Sequence, residues 1–149
     1  MKIKFIPALA FALSVTFSSF ANPIDKNIND KVKTAFSEKF NDAKEVSWNT
    51  TASYIKASFK INDQSMFAFY SADGVLLGIS RNLVSTTLPI RLQSELKKAS
   101  ANGWIAELFE YSSDDENSYY ATIENADQKV YLKSSASNNW SLIKKEKKN

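Results

Sequence analysis

The chain has 149 residues, 19 of them basic and 16 acidic, with no histidine and no cysteine. Those two gaps exclude Cys and His nucleophiles, the commonest general base, disulfide staples and the usual zinc ligands. Hydrophobic residues make up 44% and aromatics 13% of the chain, enough for a single-domain core held by packing alone.

The start of the chain reads as an export signal. Lys2 and Lys4 are followed by an apolar run from Phe5 to Val15, and Ser19-Phe20-Ala21 offers the small residues that a signal peptidase selects. The run is short of the ~20 apolar residues that span a bilayer. Cleavage after Ala21 takes the signal peptide, 1–21, from the 149 residues and leaves 128 as one exported domain, 22–149. With no cysteine for lipid attachment, the product is expected to be soluble, in the periplasm or secreted. Losing Lys2 and Lys4 reduces the 19 basic residues to 17, against 16 acidic. Within the remaining net charge of +1, the run Lys144-Lys145-Glu146-Lys147-Lys148 contributes +3. The body is therefore slightly acidic, which is not the face a nucleic-acid binder presents. The basic tail, 144–149, is expected to be a solvated, frayed end.

Ile28, Val32, Phe36 and Phe40 recur every four residues, with Asp30, Lys31, Lys33, Glu38 and Lys39 off their stripe. This predicts an amphipathic helix capped by Asn27 or Asn29 and ended by Asn41-Asp42. Val46 and Trp48 alternate with polar neighbours, giving a first strand. Ile55, Ala57, Phe59 and Ile61 alternate with Tyr54, Lys56, Ser58 and Lys60, and this is the clearest strand in the chain. Asn62-Asp63 turns into a strand from Met66 to Ala72, and Asp73-Gly74 is a tight-turn dipeptide before a strand from Val75 to Ser80. Thr86-Thr87-Leu88-Pro89 reads as a second helix start, with Leu88, Leu92 and Leu96 on its buried side and Asn102-Gly103 as its stop. Strands are then predicted over Trp104–Tyr111, Ser118–Asn125, Lys129–Ser134 and Asn139–Ile143.

The chain says much the same thing twice. Ala57-Ser58-Phe59-Lys60 leads through Asp63-Gln64 to Met66-Phe67-Ala68-Phe69. Ala121-Thr122-Ile123-Glu124 leads through Asp127-Gln128 to Val130-Tyr131-Leu132-Lys133, 64 residues on. The predicted fold class is α+β: a tandem repeat of a helix followed by antiparallel strands, with halves at 27–81 and 86–143 joined in one sheet packed on its helices. Ala57 and Ala121, and Phe59 and Ile123, are expected to be equivalent core positions, with Met66 and Val130 across the hairpins.

The ordered words Phe40…Val46-x-Trp48, Tyr54-x-x-Ala57-x-Phe59, Tyr70-x-x-Asp73-Gly74, Ser80-Arg81 and Leu88-Pro89 resemble the beta-lactamase-inhibitor-like, PepSY-like family of exported bacterial envelope proteins. The resemblance runs from about Asp30 to Ile143. It implies a tandem α+β arrangement similar to the beta-lactamase inhibitor protein, whose concave sheet grips another protein. It implies no settled activity, and fold does not fix function. The chain departs from the disulfide-stapled inhibitor in having no cysteine.

Candidate chemistry is sparse. Asp114, Asp115 and Glu116 lack the ligand spacing and glycine of a calcium loop. Glu107 and Glu110, three apart in a strand, face opposite ways and do not form an acid/base pair. Ser80-Arg81 has no histidine to activate it, and three glycines cannot build a phosphate loop. No catalytic residue, metal or cofactor is expected, and the chain reads as a non-enzyme. The outward strand positions are the better lead. Tyr54, Lys56, Phe67 and Phe69 in the first half, with Tyr120 and Tyr131 in the second, form a Tyr/Phe/Lys surface suited to gripping a protein or peptide. The alternative is a small-ligand or sensory protein with an aromatic-lined pocket between sheet and helices.

Overall fold

The computed structural model describes residues 27–135 and 139–148. The predicted signal peptide lies outside the described residues. The chain order is helix α1 (Asp30–Lys39), strands β1 (Lys44–Thr50), β2 (Ile55–Ile61), β3 (Gln64–Tyr70) and β4 (Leu76–Asn82), then helix α2 (Ile90–Ala99). Strands β5 (Trp104–Ser112), β6 (Asn117–Glu124), β7 (Gln128–Ser135) and β8 (Ser141–Lys147) complete it. All eight strands form one antiparallel sheet in sequence order, so the fold is α+β, and β4 pairs with β5 to join the halves.

Local chemistry explains the connections. Asn29 caps α1, its side-chain oxygen accepting from the Lys31 N–H at 2.9 Å, which satisfies one orphan donor of the first turn. Asn62 and Asp63 both adopt positive φ (50° and 62°), as a two-residue hairpin loop demands. Gly74 closes the next turn at φ 85°, a conformation glycine adopts without a Cβ clash.

The core is split in two. Val32, Phe36 and Phe40 of the α1 face pack on Ile55, Ala57, Phe59, Ala68 and Tyr70. Phe36 is the hub, with ring centroids 5.0 Å from Phe59, 5.1 Å from Trp48 and 5.2 Å from Phe40. Burying one such ring contributes roughly 2–3 kcal/mol. In the second half Leu88, Leu92 and Leu96 pack on Leu108, Ala121, Ile123 and Leu132. Trp140 ties α2 to the sheet, its indole N–H donating to the Leu92 carbonyl at 3.0 Å.

The register agrees with the alternation read from sequence. Ala57 and Ala121 are both buried under helices, Phe59 pairs with Met66, and Ile123 pairs with Val130.

Three expectations are corrected. Val46 is exposed, because the β1–β2 register shifts between Lys44 and Ser47 and Glu45 takes a positive φ of 54°. A bulge re-aims the side chain that simple alternation sends inward. The second helix begins later than its Pro signal: Ser85–Thr87 form a 3-10 turn, and Pro89 is the cap before Ile90 rather than a first-turn residue. The basic tail is not frayed. Lys144 to Lys147 belong to β8 and pair with Gln128 to Tyr131 of β7.

Candidate functional site

The helices cover one face of the sheet, and the other face carries the outward positions. On it Lys56 pairs with Phe69, Ser58 with Phe67, Tyr120 with Lys133 and Thr122 with Tyr131. Tyr54, Lys56, Phe67, Phe69, Tyr120 and Tyr131 are all half-buried. They are neither sealed under another layer nor fully solvated.

The side chains brace one another. Tyr54 and Phe69 meet edge to face at 5.4 Å, and Phe69 lies 6.3 Å from Tyr111. Tyr111 and Phe109 of β5 fill the middle of the face, and Phe109 stacks on Tyr120 at 5.1 Å with 11° between rings. Lysines lie over the aromatics: Lys56 over Phe67, Lys133 over Tyr120 and Lys144 over Tyr131, at 5.5, 5.5 and 5.8 Å. Such contacts stabilise by roughly 0.5–1 kcal/mol each at exposed sites and fix the direction of long side chains.

Sequence reading missed Phe109 and Tyr111. Their alternation with Leu108 and Glu110 was available, but it becomes an outward row only once Leu108 is seen facing α2 and Tyr111 opposite Ser118. The centre of the face is therefore aromatic, joining the groups chosen in each half.

Several charges on the outer face of the second half are held in pairs. Glu124 binds both Lys129 and Lys148 at 2.8 Å, and those ammonium groups hold its carboxyl below the usual carboxylate range. The Tyr131 hydroxyl donates to Glu146 at 2.7 Å, and that carboxylate chiefly pushes the phenol up to about 12. Glu116 sits with Lys133 and Ser118 rather than in a calcium loop. Among the described residues no acidic cluster could hold a metal ion.

Glu107 and Glu110 do face opposite ways. Glu107 accepts from Thr122 at 2.9 Å on the outer face, and Glu110 pairs with Arg81 at 2.6 Å on the helix side. Arg81 is thus held in an ion pair rather than aimed at an anion.

The space between sheet and helices is filled by the two core clusters. A cleft of about 450 Å³ lies on the flank of α2, lined by Ile90, Gln93, Lys97 and Ile105 among others. None of the six outward residues chosen from sequence lines it. No helix among the described residues is long and apolar enough to cross a membrane.

Among the described residues, two α-helices on one side of an eight-stranded antiparallel sheet, with an aromatic face on the other, define a BLIP-like α+β architecture. A BLIP-like protein from Bacteroides fragilis superposes with a TM-score of 0.67 at 15% identity, covering 81% of this chain and 86% of that one. A DUF2874 family protein from Bacteroides ovatus gives a TM-score of 0.71 at 16% identity, covering 81% and 88%. A candidate periplasmic protein from Bacteroides eggerthii gives 0.72 at 10% identity, covering 81% and 89%. No protein-family model and no curated protein matches the chain. The structural neighbours agree with the beta-lactamase-inhibitor-like half of the resemblance read from sequence, at the level of fold; its PepSY-like half stays an expectation.

Proposed function

We propose that the protein is an exported, non-catalytic binding module that holds a protein or peptide partner on its outer sheet face through Tyr54, Lys56, Phe67, Phe69, Tyr120 and Tyr131. One observation carries the reading. The two sequence-selected groups sit on a single face and are joined by Phe109 and Tyr111 into one half-accessible aromatic surface. Rings held on paired strands contribute large contact area at small entropic cost.

The likeness to a BLIP-like and to a candidate periplasmic protein supports an envelope location and a binding role. The matching registers of Phe59 with Met66 and Ile123 with Val130 support a tandem repeat, with halves at 27–81 and 86–143 in the domain 22–149. In this reading residues 1–21 are a signal peptide cleaved after Ala21.

The test is affinity capture from the organism's own cell envelope, with partners identified by mass. Replacing Phe67, Phe69 and Tyr131 together by serine leaves the fold intact and abolishes capture. Unchanged capture by the folded triple variant sinks the reading.

A further inference from the structure

Five lysines of β2, β7 and β8 point to the outer face, and four of them already hold a carboxylate. Lys60 binds Glu45 at 2.7 Å, Lys129 binds Glu124 at 2.8 Å, Lys133 is paired with Glu116, and Lys144 with Glu146. Lys56 is the exception. No carboxylate of the described residues comes within 4 Å of its ammonium.

Its surroundings are apolar or neutral. Lys56 is half-buried near the start of β2, between Asn49 of β1 and Phe69 of β3, with its Nζ 5.5 Å from the Phe67 ring centroid. Tyr54 stands two residues away on the same face, its ring against Phe69. Burial holds the Lys56 ammonium below the ordinary lysine range. A partly desolvated cation without a counter-charge is costly in the free protein, and a partner that supplies the counter-charge recovers that cost on binding.

We propose that Lys56 is the anion anchor of the outer face, taking a carboxylate from an acidic peptide segment of the partner that also seats an apolar side chain on Phe67 and Phe69. The inference rests on the outer face being the binding surface and adds the chemistry of what binds there. Charge complementarity selects the acidic partner. On the outer face the second half's lysines are each paired with a carboxylate, so on that face Lys56 alone offers an uncompensated positive charge, and it is flanked by aromatics that exclude water around a bound pair. A free small anion uses the charge and leaves the rings unfilled, whereas a peptide uses both.

The experiment compares the purified protein with its Lys56→Gln variant, titrated with two peptides and followed by backbone amide shifts. The probes are Ac-Ala-Phe-Asp-Phe-Ala-NH2 and its Asn counterpart, with N-acetyl-aspartamide as the free-anion control. The protein binds the Asp peptide about tenfold tighter than the Asn peptide, with shifts in β2 and β3, and Lys56→Gln removes that preference. Equal binding of the two peptides, no binding of either, or a preference that survives in Lys56→Gln overturns the proposal. So does N-acetyl-aspartamide binding as tightly as the Asp peptide. The parent reading is scored separately by the serine triple variant in envelope capture, which keeps Lys56 intact.

Discussion

The ring of Tyr111 occupies the space that a side chain at position 78 would fill. A Cβ on Gly78 would lie 2.3 Å from the Tyr111 hydroxyl oxygen and 2.4 Å from the adjacent ring carbon, while that hydroxyl donates to the Leu77 carbonyl at 3.0 Å. Glycine in a strand interior is normally a weakness. Here it makes room for the aromatic that bridges β4 and β5, the strands that join the two halves.

Gly78→Ala should therefore expel the ring and break its bond to Leu77, lowering stability by about 1–3 kcal/mol. In a Tyr111→Ala background the same substitution should cost nothing, or stabilise by roughly 0.5–1 kcal/mol through restriction of the unfolded chain. Urea unfolding of the two singles and the double measures the coupling. Additive effects would show that the ring and the glycine are independent.

Tyr70 is fully buried, and its hydroxyl has no hydrogen-bond partner among the described residues. Tyr70→Phe removes an unsatisfied polar group from the first core and should raise stability by about 1 kcal/mol. The phenol also predicts a pH effect. Burial pushes its pKa from 10.0 up to about 12, so the ionised form is disfavoured in the folded state. Stability is full below pH 10 and falls as pH rises toward 12. The melting temperature should fall less between pH 8 and pH 11 for Tyr70→Phe than for the wild type, with Tyr131 supplying the residual alkaline loss.

Neighbouring positions on β2 should respond oppositely. Ala57 is 0% exposed beneath α1, so Ala57→Lys buries an unpaired charge and should cost more than about 4 kcal/mol or abolish folding. Lys56→Ala should change stability by no more than about 0.5 kcal/mol. Circular dichroism during denaturation separates the two. Comparable losses at both sites would contradict the assigned faces.

Glu116 should give the second half a small acid-sensitive contribution. The Lys133 ammonium first, and the Ser118 hydroxyl next, hold its carboxyl below its ordinary value of 4.5. A depressed carboxyl contributes stability above pH 4.5 that is lost as pH falls through the lowered value. The pair is partly solvated, so the effect should be about 1 kcal/mol or less. Glu116→Gln should melt lower than the wild type at pH 7 and equal to it near pH 2. A constant gap across that range would rule out the ionic cause.

Most of the fold was legible because it depends on period. Ile55, Ala57, Phe59 and Ile61 repeat every two residues, and Ile28, Val32, Phe36 and Phe40 every four, so the buried faces follow from geometry alone. The failures fall where a local feature interrupts period. Val46 turned outward at a bulge, and the β8 lysines looked like tail because strand pairing of a charged segment depends on a neighbour that composition does not reveal. At the candidate site Tyr54, Lys56, Phe67 and Phe69 followed from the face assignment of β2 and β3. Phe109 and Tyr111 joined them only through the β4–β5 and β5–β6 registers, which are contacts between distant parts of the chain.

Among the described residues the sheet of eight strands ends in β1 and β8, and an outermost strand is a template that another extended chain can pair with. The outermost strand at the C-terminal side holds Lys144, Lys145 and Lys147, with Lys148 directly after it. A second molecule approaching that rim in strand-to-strand fashion meets Lys145 and Lys147, which hold no carboxylate among the described residues, before it can form a ladder. Neutralising those lysines, by acetylation or by substitution with glutamine, therefore threatens colloidal behaviour before it threatens the fold. The soluble concentration should drop while the melting temperature barely moves.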